Sequence, residues 1–142
     1  MKLSVFLASV CILLTSGCQI TNTIKESELK HHNFKLQTID NKPVKTIQVV
    51  NIEFIEAMRV NGFTGCNRFF GQAILKKGKF KIDKIGMTRK SCDEHSNKIE
   101  TYLIDTLSNW SDVTLENRTL NIIGNHKLVF KMTTDLNKIM DK

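Results

Sequence analysis

The longest apolar run lies at the start of the chain, where Ser4–Leu14 (SVFLASVCILL) carries no charge over 11 residues. As a helix it spans about 16 Å, too short to cross a bilayer core of about 30 Å. Gln19–Asn33 (QITNTIKESELKHHN) is polar without sustained periodicity, and residues 18–33 read as a tether. From Phe34 the pattern becomes that of short strands. Phe34–Ile39 places Phe34, Leu36 and Ile39 on one face, Asp40-Asn41-Lys42-Pro43 predicts a turn, and Thr46–Phe54 is a β-branched second strand. Asn61-Gly62 is the strongest hairpin-turn signal in the chain. In Phe63–Gln72 simple alternation fails: two glycines bracket a polar pair and two aromatics, which predicts a bulged or bent strand. Ala73–Leu75, a Lys77-Gly78 turn and Lys79–Ile82 form the next hairpin.

The period then changes. Ile99, Tyr102, Leu103, Leu107 and Trp110 form one apolar stripe of an amphipathic helix, and Ser91-Cys92-Asp93-Glu94 before it has the form of a capping box with Ser91 as N-cap. Strands return at Val113–Leu115, Thr119–Ile123 and Lys127–Met132, separated by Asn117-Arg118 and Gly124-Asn125 turns. Residues 133–142 form a polar, flexible tail. Seven or eight short strands with one helix predict an α+β domain: an antiparallel, strongly curved sheet or partial β-barrel with one packed amphipathic helix.

Composition adds limits. A chain of 142 residues allows one core, and 41% hydrophobic with 25% charged residues is ordinary for a globular protein. The net charge of +7, or +6 without Lys2 of the leader, permits attraction to anionic headgroups, lipopolysaccharide or nucleic acid, but it also simply keeps a protein soluble, which is the favoured reading. The lysines are scattered and lack the aromatic interleaving of a single-strand groove, so no nucleic-acid partner is expected. No GxSxG, HExxH or P-loop motif occurs, and no carboxylate pair stands out; no catalytic residue, cofactor or metal site is expected.

The N-terminus carries more information. Lys2, the apolar run and the small residues Thr15-Ser16-Gly17 before Cys18 have secretory signal architecture. The segment Thr15–Cys18 resembles a bacterial lipobox, with Thr15 in place of the usual Leu. The resemblance implies cleavage before Cys18, lipid on the Cys18 sulfur and α-amine, and anchoring by several acyl chains at about 0.8 kcal/mol per buried CH₂. Gln19 rather than Asp implies routing to the outer membrane, with the domain facing the periplasm. Cys11 leaves with the leader and Cys18 is consumed by lipid. The remaining Cys66 and Cys92 are most economically a disulfide in an oxidising compartment. Two alternatives stay open: a zinc site using both thiols with His31, His32, His95 or His126, and a reactive thiol pair.

Gly65-Cys66-Asn67-Arg68-Phe69-Phe70-Gly71, then Thr88-Arg89-Lys90-Ser91-Cys92, then Glu100, resemble the META domain of HslJ-type heat-inducible lipoproteins, whose pattern is GCNRF-x-G, TRMAC and a helical Glu. Lys90 and Ser91 stand where the family has Met and Ala, and Phe34 stands for its opening Trp. The likeness covers most of residues 34–132. It implies a lipocalin-like partial barrel, an envelope location, an association with stress or novobiocin tolerance, and no established catalysis. The family has been likened to pilot lipoproteins that hold an acyl chain or a partner helix, so a hydrophobic ligand or an envelope protein is an expected partner of a monomer. Two roles for the motif remain open. In one, Gly65 and Gly71 bend the strand, Arg68 pairs with Glu100 or Asp93, and Thr88 or Arg89 closes the loop. In the other, Asn67, Arg68, Thr88 and Arg89 form a surface patch for an anionic group or a protein.

Overall fold

The computed structural model describes residues 23–133. The leader, Cys18, Gln19 and the tail beyond Thr133 lie outside the described residues. Alternation drives the strands. In β1 (His32–Ile39) Phe34, Leu36 and Ile39 point inward, and Asp40 and Asn41, both at positive φ, turn the chain into the two-residue β2 (Lys42–Pro43). After a loop, β3 (Asn51–Phe54), β4 (Arg59–Phe63), β5 (Arg68–Lys76) and β6 (Lys79–Met87) follow as an antiparallel meander. The helix α2 (Glu94–Ser108) comes next, then β7 (Ser111–Glu116), β8 (Thr119–Ile123) and β9 (Lys127–Met132). Because β9 pairs with β1, the order β1-β3-β4-β5-β6-β7-β8-β9 closes into an eight-stranded antiparallel barrel, with β2 an appendage on β1. The expected curved sheet is thus fully closed.

Closure is uneven. β5 and β6 share seven paired positions, whereas β6 and β7 share only Lys79↔Asp112 and Phe80↔Ser111. The helix α2 leaves the chain between these two strands and packs on β6, β8 and β9. Inside, Phe34, Phe54 and Phe80 meet edge to face with centroids 5.8 and 6.0 Å apart, and Phe130, Leu103 and Leu107 are fully buried beside them. Each such side chain contributes about 1.5–3 kcal/mol on burial, and together they fill the barrel.

Several expectations are corrected. The polar stretch read as a tether is folded from Ile24 onward: Ile24 and Leu29 are buried, and a single helical turn, α1 (Glu26–Leu29), precedes β1. Two apolar residues in a polar run have no periodicity to betray them. Of Thr46–Phe54 only Asn51–Phe54 is strand; Ile47 and Val49 face solvent while Val50 is buried. Asn61-Gly62 is not a turn but lies inside β4. The β3–β4 connection is instead Glu56–Met58, with Ala57 and Met58 at positive φ. Gly62 is there for packing, since a Cβ would run into the Phe69 ring and stand 2.8 Å from Asn51 O. The helix N-cap is Asp93, not Ser91. The Asp93 carboxylate accepts from Ser96 N (3.0 Å) and Ser96 Oγ (2.6 Å), which hold it below its ordinary range. A carboxylate meets the positive helix end better than a hydroxyl does. Trp110 falls beyond the helix, because Asn109 is already extended, and is 48% exposed beside Lys81. The Lys77-Gly78 turn stands as expected, both residues at positive φ.

Candidate functional site

The polar motif residues converge where β4, β5, the segment after β6 and the first turns of α2 meet. β4 ends at Phe63 and β5 begins at Arg68, so Thr64–Asn67 form a bend with Gly65 at φ 97°. The bend turns Asn67 inward, 2% exposed, and one step later sends Arg68 to solvent. The Asn67 amide uses every hydrogen-bonding group it has. Its Nδ2 donates to Glu100 Oε2 at 3.0 Å and Oε1 at 3.4 Å, and its Oδ1 accepts from Lys90 N (2.7 Å) and Thr88 Oγ1 (3.0 Å). Thr64, fully buried, is equally committed: its hydroxyl donates to Glu100 Oε2 at 2.7 Å and accepts from Asn67 N and Cys66 N. Thr88 Oγ1 also accepts from Arg68 N at 3.0 Å, while Thr88 N donates to Arg68 O.

Cys66 and Cys92 are joined by a disulfide with Cα atoms 6.2 Å apart, which brings the bend to the segment leading into α2. The bridge leaves no thiolate for the zinc or reactive-thiol alternatives. Among the described residues no group of three or more His, Cys, Asp or Glu is placed to hold a metal ion. The expected Arg68 pairing with Glu100 or Asp93 is corrected. Glu100 belongs to Thr64 and Asn67, and the Arg68 guanidinium stands 6.0 Å from the Phe63 ring centroid. Arg89 is exposed and takes no part in the cluster. Thr64 was absent from the residues singled out in the sequence; its only local signal is its place before the Gly65 bend. Cys18, the expected lipid site, lies outside the described residues.

The three converging segments, joined by one buried amide, are the segments of the motif. The META domain family model matches residues 27–135. The chain belongs to the META domain family. It is 28% identical over 130 residues to Heat shock protein HslJ of Escherichia coli strain K12, spanning 88% of this chain and 92% of that protein. A protein structure solved by NMR superposes with a TM-score of 0.68 at 28% identity, covering 76% of this chain and 94% of its own. A second NMR structure, from Burkholderia xenovorans, gives a TM-score of 0.62 at 20% identity over 76% of this chain and 86% of its own, a likeness of fold. In this META domain, then, the GCN bend, the Thr88–Cys92 segment and the helical Glu100 form one knot around the buried Asn67 and Thr64, and the motif arginines point out of it.

Chemically the knot is closed. No buried side-chain nitrogen or oxygen among the described residues lacks a partner. Its polar groups are spent on one another, so the arrangement holds three segments together.

Proposed function

We propose that this META-domain chain is a lipid-anchored envelope protein, held at the outer membrane through Cys18 with its domain in the periplasm. It acts as a monomer by docking rather than by catalysis and contributes to tolerance of heat and of novobiocin. The observation that carries the non-enzymatic part is the saturation of Asn67, which spends the motif's polar groups on architecture. The disulfide supports an oxidising compartment, and the leader supports export. A barrel packed with Phe34, Phe54 and Phe80 speaks against an acyl chain or helix held inside it, so its contacts are made on the outer surface.

Fractionation tests the anchor: the wild type is expected with outer membranes, and Cys18→Ala as an unprocessed or soluble species. If the variant still partitions as wild type does, the anchor is wrong. A deletion strain is expected to be more sensitive to heat and novobiocin, with rescue by the wild type and not by Cys18→Ala; unchanged sensitivity removes the tolerance role.

A further inference from the structure

We propose that the outer wall of β4, β5 and β6 docks on the anionic headgroups of the bilayer. The choice of a membrane as the partner rests on the lipid-anchor reading; the wall itself rests on register. Alternation turns Arg59, Asn61 and Phe63 of β4 outward, and Arg68, Phe70 and Gln72 of β5. Pairing sets them side by side as Arg59↔Gln72, Asn61↔Phe70 and Phe63↔Arg68. Phe70 is 60% exposed although it lies in the middle of a strand, and its ring covers Gly86 of β6, where a Cβ would collide with it. Arg59, Lys84, Phe70 and Ile55 line one open groove of about 360 Å³. Among the described residues neither Arg59, Arg68 nor Lys84 forms an ion pair. The nearby carboxylates are Asp83, which pairs with Lys81, Glu56, which meets Lys30 and His31, and Glu53, which faces Asn61 across β3 and β4. An unpaired cation set around an exposed aromatic ring complements a headgroup layer, where phosphates meet the cations and the ring enters the interface.

The tether aims this wall. Lys30 and His31, just after α1, both reach Glu56 at 3.0 Å. The Glu56–Met58 turn then leads directly into Arg59 and accepts Gln72 Nε2 at 2.9 Å through Ala57 O. The segment just after α1 is therefore tied to the turn that leads into the wall. Cys18 precedes Thr23 by five residues, a separation of at most about 17 Å. On the lipid-anchor reading the domain therefore starts within that distance of the bilayer.

The test uses the mature chain from residue 18 carrying Cys18→Ser, so that the anchor contributes nothing, with vesicles of phosphatidylglycerol and phosphatidylethanolamine or of phosphatidylcholine alone. Sedimentation is expected to show binding to the anionic vesicles that weakens with salt. At about fivefold per cation, Arg59→Gln with Lys84→Asn is expected to raise the half-saturating lipid concentration about 25-fold. Phe70→Ser is expected to weaken binding too. Lys98→Gln with Lys127→Gln, equal in charge and placed on α2 and β9 rather than on β4–β6, is expected to bind within about twofold of the parent. Circular dichroism checks that each variant is folded. The proposal is overturned if the chain ignores anionic vesicles, if both double variants bind alike, or if a single-stranded oligonucleotide binds more tightly than the vesicles. Docking by this chain with no lipid on the wild-type protein would sink the anchor reading and leave the wall standing; a lipidated wild type with no docking does the reverse.

Discussion

Asn67 is the residue on which the most other groups depend. Replacing it with Ala leaves Glu100 with one partner fewer and removes the acceptor of the part-buried Lys90 N–H and Thr88 hydroxyl. Lost hydrogen bonds of this kind contribute about 0.5–1.5 kcal/mol each, so Asn67→Ala is expected to lose about 2 kcal/mol in urea unfolding. A loss below about 0.5 kcal/mol would mean that the knot is ornamental. Glu100→Gln is the gentler probe, since it keeps the shape and one acceptor. At this scale the motif points to Asn67, Thr88 and Glu100, which the structure brings together. Opposite charge suggests Arg68 with Glu100 or Asp93, whereas Glu100 is taken by Thr64 and Asn67. A one-residue step along a strand reverses the facing of the side chain, and the Gly65 bend decides which of the two neighbours turns inward.

Elements here are held at their ends. The disulfide ties the start of α2 to the bend before β5, and cutting it frees a long loop in the unfolded chain. Cys66→Ser with Cys92→Ser is expected to cost about 3–4 kcal/mol and to leave the circular dichroism of the folded state unchanged. Reduction of the wild type should add 2 Da by about one hydrogen per sulfur; an intact mass that does not move on reduction argues for free thiols. The far side of α2 is held by Tyr102, stacked 4.0 Å from His126. Asp40 joins that corner to β1, accepting from Lys127 N at 2.8 Å and contacting His126 Nδ1 at 2.7 Å. The Lys127 N–H first, and then His126, hold the Asp40 carboxyl below the ordinary carboxylate range. A carboxyl lowered by folding stabilises above its unfolded value and loses that contribution as pH falls through the folded one. Asp40→Asn is therefore expected to be less stable than wild type at neutral pH by under about 1 kcal/mol, the group being half in solvent. The two should converge as pH falls through and below the ordinary Asp range, about 3.9. A gap that stays constant with pH would show that charge has no part in it. Local turn chemistry made Lys77-Gly78 legible, since both residues take positive φ within the hairpin itself. Asn61-Gly62 misled because its glycine answers to Phe69, a ring on the next strand.

For the molecule as a whole, strand count, antiparallel pairing and the single long helix were legible from alternation and turn spacing. Closure was not. It depends on β9 reaching β1 across the whole chain, a pairing that no local pattern encodes. Nor was the cationic wall, because Arg59, Phe63, Arg68 and Phe70 are scattered in order and adjacent only in register. The short β6–β7 contact has a further consequence. A cylinder fastened by two residue pairs along one line has its weakest join there, and α2 lies across that line as a clasp: stapled to the barrel at its start by sulfur, and held at its finish by the Ser111 hydroxyl donating to Thr106 O at 3.1 Å. Thermal breathing should run along this slit, so the backbone amides of Ser111 and Val113, which face β6, would trade their protons for deuterons before those of β8 do, and a partner able to lift the clasp would find the barrel already scored for opening.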